Sequence, residues 1–332
     1  MMPLDTLFHQ LTQLRVAVVG DVMLDTYLWG RVDRISPEAP VPVVAMNSKE
    51  YRIGGAGNVA LNTVALGAET VLFSVVGDDE EAERLINLLQ DAQVDTKYIY
   101  KSEHRITTNK TRILSRNQQM MRLDAEVTFD LLAEEESYLI QQFTNYVKRY
   151  QPHVVIFEDY NKGVLTASTI EKLIAICVEH DVITTVDPKK ANFFAYKGVT
   201  IFKPNLKEVK EGLNIAVKEV NEEVLNQIHQ QLYTELKHKI SLITLSEKGI
   251  FCQKGSASAI LPAHIRNIAD VSGAGDTVIA TASLVYAATK NIKLAANVAN
   301  IAGGLVCEEV GTTAINKQRL VEECVHILTD VE

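Results

Sequence analysis

Asp270-Val-Ser-Gly-Ala-Gly-Asp276-Thr277 runs directly into the apolar stretch 278–288. Gly273, Ala274 and Gly275 leave the backbone free to turn tightly and to bring its N–H groups close to a ligand. The stretch that follows reads as a buried helix, so these N–H groups belong to a helix N-terminus, where anions are favoured. Asp276 stands at the mouth of that anion site, where its carboxylate can take a proton from a nucleophilic hydroxyl. An anion hole beside a base is what phosphoryl transfer to an alcohol requires. The competing reading is an aspartate at the start of a helix behind a flexible turn, with no catalytic task.

Upstream of this run, short β-rich segments alternate with helical patterns. Residues 16–19, 71–76, 154–157, 182–186, 199–202 and 241–245 are compact apolar runs suited to strands buried on both faces. Residues 80–89, 131–150, 167–180 and 220–236 carry apolar side chains at helical spacing. The alternation predicts a doubly wound, mainly parallel sheet flanked by helices. Downstream the chain turns helical (275–289, 294–310, 317–328), closing one side of the sheet. Residues 27–52, with Pro37, Pro40 and Pro42, and the polar strand-like residues 97–123 break the rhythm. They predict a small second sheet, a lid, on a single domain spanning 1–332.

Composition narrows the function classes. The 332 residues are 47% hydrophobic and 23% charged, with a formal net charge of −9. That balance argues against nucleic acid or an anionic membrane as partner. Four scattered cysteines suit a reducing cytoplasm and give no zinc-ligand spacing. No stretch has the length of a membrane span.

Further motifs lie at expected strand ends. Gly20-Asp21-Val-Met-Leu-Asp25 offers either two carboxylates for sugar hydroxyls beyond the first strand or a turn aspartate beside a solvated one. Gly54-Gly55-Ala56-Gly57-Asn58 opens a helix and allows backbone and amide to approach a hydroxylated ligand. Its loose match to a dinucleotide fingerprint stands in the wrong place for a nicotinamide enzyme, and no Walker P-loop exists. Asn205 and Glu208, one turn apart, can face one pocket and hold Mg²⁺ through its waters, or simply form a capping box. Ser246-Glu-Lys248-Gly249 is either a phosphate-side loop or a hairpin turn.

Three of these motifs, Gly54 to Asn58, Asn205 with Glu208, and Gly273 to Asp276, resemble in order and spacing those of the ribokinase (PfkB) family of sugar kinases. The strings 34–44, 114–119 with 122–124, and 159–163 resemble the branch of that family acting on heptose 7-phosphate. The resemblance implies ATP and Mg²⁺ as cofactors and phosphorylation of the sugar phosphate at O1, with Asp276 as base. The N–H groups of Gly273, Ala274 and Gly275 would form the anion hole. It implies Asp21, Asp25, Gly54, Gly55 and Asn58 on the sugar hydroxyls. Lys110, Arg112, Arg116 and Lys162, with Arg105, are candidates for the 7-phosphate. On the nucleotide side it implies Asn205, Glu208, Ser246, Lys248, Gly249, Asn300 and Gly303. Asp270 with the turn at Gly311-Thr-Thr313 resembles the family's K⁺ loops, and a homodimer through the lid is expected. No H-x-G-H-type nucleotidyltransferase segment occurs, so a stand-alone kinase is the expectation. The alternatives are a fructokinase-like member of the family and a non-catalytic sugar-binding regulator.

Overall fold

The central strand β1 (Arg15–Gly20) reads Val-Ala-Val-Val, with no polar face, and must therefore be covered on both sides. In the computed structural model, which describes residues 3–116 and 118–329, it is. Val16 and Val18 enter one core, while Ala17 and Val19 enter the other. Asn117, within the quoted string 114–119, lies outside the described residues.

Nine described strands form the main sheet. It comprises β1, β4 (Glu69–Gly77), β5 (Asp95–Ser102), β8 (Val154–Glu158), β9 (Ile183–Asp187), β10 (Ile201–Phe202), β11 (Ile240–Thr244), β12 (Ile250–Lys254) and β13 (Ala257–Leu261). The order is β13-β12-β11-β10-β9-β8-β1-β4-β5, all running in one direction except β12, which is antiparallel to both β11 and β13. One face is covered by α1 (Leu4–Leu11), α2 (Ala56–Ala65), α3 (Glu80–Asp91), α8 (Ala274–Thr289), α9 (Ile292–Val306) and α10 (Lys317–Thr329). The other is covered by α4 (Ala133–Tyr150), α5 (Ala167–Glu179), α6 (Leu206–Leu213) and α7 (Glu222–Leu236). This is the doubly wound arrangement expected.

From β1 the chain steps one way to β4 and later the other way to β8, so the sheet reverses its winding between β1 and β8. A crevice opens beyond the carboxyl ends of strands at such a point. The two strand ends are pressed together there: a Cβ on Gly20 would lie 1.9 Å from the carbonyl oxygen of Glu158. Only a residue without a side chain fits.

A separate sheet of four described strands, in the order β3-β2-β6-β7, is rooted at this point. It comprises β2 (Val22–Ile35), β3 (Pro42–Gly55), β6 (Asn109–Ser115) and β7 (Gln118–Ala125). β2 starts two residues after β1 ends, so the sheet is anchored at the crevice. The segment 97–123 does not belong to it throughout: 97–102 lie in β5 on the edge of the main sheet. The β12–β13 hairpin is an addition, since small Ala and Ser residues in β13 dilute the strand pattern.

Candidate active site

Four segments converge on the crevice, and Asp276 is where they meet. It lies in the first turn of α8, is 3% exposed, and follows Gly273, whose φ of 78° is the left-handed conformation that suits glycine. Asn58 Nδ2 donates to its Oδ2 (2.8 Å), and the Tyr160 hydroxyl donates to its Oδ1 (2.9 Å). Burial raises its pKa, while these two donors pull the other way. The first intrahelical bond runs from Thr277 N–H to Gly273 O, so the N–H groups of residues 274–276 precede it. That of Ala274 turns back to Val271 O at 3.3 Å.

Below the helix start, Glu158 and Asp187, at the ends of β8 and β9, join Asp276. Ligand oxygens of all three carboxylates lie within 4.8 Å of one another. Lys203 Nζ contacts Asp187 Oδ2 at 2.6 Å, and Lys189 bridges Asp187 (3.6 Å) and Glu208 (2.8 Å). A Cβ on Gly275 would lie 3.4 Å from Asp187 Oδ2 and 3.7 Å from Lys203 Nζ. The N-terminal end of α8 therefore faces this charged group directly.

Burial opposes ionisation of Asp187, yet Lys189 and Lys203 outweigh it and hold the carboxyl below its ordinary range. Burial, reinforced by Asp187 and Asp276, pushes Glu158 well above its range. Neither buried oxygen of Glu158 has a hydrogen-bond partner. Orphaned carboxylate oxygens beside two more carboxylates suit a hard divalent cation such as Mg²⁺. Neither Glu158 nor Asp187 was singled out from sequence. The available signal was a polar residue closing each consecutive strand: Glu158, then Asp187-Pro-Lys189, then Lys203-Pro204.

A sequence profile of pfkB family carbohydrate kinases matches residues 13–319. The chain belongs to that family. It is an ATP-dependent sugar kinase with the ribokinase-like fold. Among relatives, a bifunctional protein HldE of Methylobacillus flagellatus is 42% identical over 322 residues, 96% of this chain and 65% of that protein. Another, from Campylobacter curvus, is 40% identical over 92% of this chain and 64% of its own length. The chain thus spans about two thirds of the curated relatives it matches, 64–65% in these two. Phosphofructokinase-2 of Escherichia coli, solved in complex with potassium, superposes with a TM-score of 0.80 at 17% identity, covering 95% of this chain and 99% of that one. Arabidopsis thaliana ribokinase, complexed with ribose and ATP, gives 0.71 at 15%, over 93% and 99%.

Within this PfkB kinase, the residues expected on the sugar side have distinct placements. Gly54 backs onto Asp25: a Cβ there would lie 2.6 Å from Asp25 Oδ2. Gly55 (φ 60°) passes closer still to the Asp21 carbonyl oxygen, 2.4 Å from where its Cβ would lie. Asp25 is buried, paired to Arg112, and accepts from Thr312 Oγ1 at 3.4 Å. Asp21 has a different task from the one expected. Its carboxylate accepts the backbone N–H groups of Tyr160, Lys162 and Val164 (2.8–3.1 Å), tying the loop after β8 to the end of β1.

The cations expected on the substrate phosphate separate likewise. Lys110 lies over the Tyr160 ring at 5.3 Å and has no carboxylate within ion-pair distance among the described residues. Burial lowers its pKa, with Asp25 opposing. Lys162 pairs with Glu126 at 2.7 Å, and its carbonyl accepts from Arg105. Arg116 is exposed in the β6–β7 turn, away from the crevice.

On the nucleotide side the structure favours local structural tasks. Asn205 and Glu208 form a reciprocal capping box: Asn205 Oδ1 accepts Glu208 N–H (2.9 Å), and Glu208 Oε2 accepts Asn205 N–H (2.8 Å). With Lys189 on its other oxygen, Glu208 is committed to protein partners. Ser246, Lys248 and Gly249 form the turn from β11 into antiparallel β12, and a Cβ on Gly249 would strike Leu261 O at 1.9 Å. Asn300 Nδ2 donates to Pro262 O, and Gly303 allows α9 to pack against Val278 of α8.

Proposed function

We propose that this kinase transfers the γ-phosphoryl group of ATP to the anomeric O1 of D-glycero-β-D-manno-heptose 7-phosphate, giving the 1,7-bisphosphate for ADP-heptose and lipopolysaccharide core synthesis. The observation that carries the reading is Asp276, a buried carboxylate at a helix N-terminus with both oxygens oriented by Asn58 and Tyr160. The names of the curated relatives and the heptose-kinase-like strings support the substrate.

Asp276 would accept the O1 proton as the oxygen attacks phosphorus. The N–H groups of residues 274–276 would face the charge that develops on the transferring phosphoryl oxygens. Asp25, Gly54, Gly55 and Asn58 would hold the sugar hydroxyls. Lys110, which has no ion pair among the described residues, is the strongest candidate for the 7-phosphate, with Lys162 beside it; Arg112 acts on Asp25. Mg²⁺ supplies charge neutralisation on the nucleotide phosphates. Glu158 and Asp187 suit it better than Asn205 and Glu208, which are engaged with each other. ATP would lie along the ends of β10 and β11, toward Ser246, Lys248, Gly249, Asn300 and Gly303. The outer face of the small sheet exposes Ile35, Met46, Met121 and Leu123, consistent with a homodimer through the lid. Four buried free cysteines suit a reducing cytoplasm. Among the described residues no helix is long and apolar enough to cross a membrane.

The test is a coupled ADP-release assay with heptose 7-phosphate, fructose 6-phosphate and ribose, and ³¹P NMR of the products. The expected result is the highest kcat/KM for heptose 7-phosphate and a new anomeric phosphate resonance. A preference for fructose 6-phosphate or ribose overturns it.

A further inference from the structure

Asp270 and the turn around Gly311 are the place expected to hold a monovalent cation, and their oxygens do not fit one. Asp270 Oδ1 accepts the Ser272 N–H and hydroxyl (3.0 and 2.9 Å), and Oδ2 accepts the Gly311 N–H (2.9 Å). The carbonyl oxygens that the turn presents, those of Val310 and Thr312, both accept from Nη1 of Arg52, the latter at 3.4 Å. The guanidinium is fixed on its other sides as well. Its Nε pairs with Glu50 at 2.7 Å, and its plane lies 4.8 Å from the centre of the Tyr27 ring.

We infer that Arg52 replaces the monovalent cation, its guanidinium supplying the positive charge that organises the carbonyl oxygens of the 310–312 turn. Gly311 is shaped to this arrangement. Its φ is 76°, and a Cβ there would lie 2.6 Å from both Arg52 Nη1 and the Tyr27 hydroxyl. A guanidinium stays charged at any pH the protein survives and offers several fixed donors, so it can hold two carbonyls permanently. K⁺ selectivity instead needs a ring of carbonyl dipoles replacing a hydration shell. The turn matters to the kinase site because Thr312 reaches both Asp25, through Oγ1, and the start of α8: a Cβ on Gly273 would lie 3.3 Å from Thr312 Cγ2.

The consequence is a kinase indifferent to K⁺, and the activity arm of the test rests on the function proposed above. Turnover and melting temperature are measured at fixed ionic strength with tetramethylammonium chloride or about 100 mM KCl. The wild type is expected to show the same kcat and melting temperature in both salts. Arg52→Ala is expected to lose about tenfold or more in kcat without K⁺, to recover part of it with K⁺, and to melt higher in KCl, a coupling of ordinary size. Arg52→Lys, which keeps a charge, is expected to fall between the two. If Arg52→Ala does not fold, wild-type indifference together with a partial K⁺ response of Arg52→Lys supports the inference, while a K⁺-stimulated wild type overturns it. Equal activity of Arg52→Ala and wild type without K⁺ also overturns it. The melting-temperature arm reads the same cation effect should the substrate prove to be a different sugar.

Discussion

The Asp276 carboxylate is placed by two side chains from distant segments, Asn58 in α2 and Tyr160 after β8. Hydrogen bonds to a charged acceptor contribute roughly 1.5–3 kcal/mol each, so losing one shifts a carboxyl pKa upward by roughly one unit or more. Tyr160→Phe removes the phenol that stabilises ionised Asp276 and keeps the ring that Lys110 and Lys189 approach, at 5.3 and 5.2 Å from its centre. The acidic limb of the kcat/KM profile should therefore move up by about one pH unit, with a smaller change on its alkaline side. An unmoved limb would leave Tyr160 with a packing role only.

Single strands and turns sort the candidate phosphate ligands. Lys110 and Arg112 alternate with their neighbours on β6 at the crevice, whereas Arg116 lies four residues beyond Arg112, about 13 Å along a strand. Lys110→Ala should raise KM for the sugar phosphate roughly tenfold while leaving KM for ATP nearly unchanged, the loss of a charge-assisted contact. Arg116→Ala should alter neither value, and a comparable increase there would return the hairpin tip to the site. Apolar runs and helical spacing made most of the main sheet and its helices legible from sequence, because burial on both faces leaves a composition with few alternatives. Asp276, the glycines of the α2 start and Asn58 were legible because their residue types and spacing are locally unusual. Glu158, Asp187, Lys189 and Tyr160 were not singled out, since their proximity is created by the lateral order of β8, β9 and α8. At Asn205 and Gly249 the sequence leaves two readings open, because a capping box and a tight turn use the same residue types as a ligand loop, and the structure shows the local bonds of the first kind.

For the whole molecule, the acidic cluster that suits a cation weakens the unliganded fold. Glu158 has a folded pKa raised well above its ordinary value of 4.5, first through burial and then through Asp187 and Asp276. Its contribution to stability is therefore complete below that ordinary value and is lost as pH rises toward the raised one. Glu158→Gln keeps the shape without the ionisation, and should melt higher than wild type at pH 8 by roughly 2–4 °C, while losing kinase activity. Thermal melts at pH 6 and 8 check this: the gap should widen with pH, and a variant no more stable than wild type at pH 8 contradicts it. The whole account depends on Asp276 serving as the base for a sugar hydroxyl. Asp276→Asn is therefore compared with wild type in single-turnover phosphorylation of heptose 7-phosphate, alongside sugar-phosphate binding by calorimetry. Affinity should be retained while the rate falls by about 10²–10⁴-fold, the usual range for general-base help. Phosphoryl transfer at close to the wild-type rate would contradict the account.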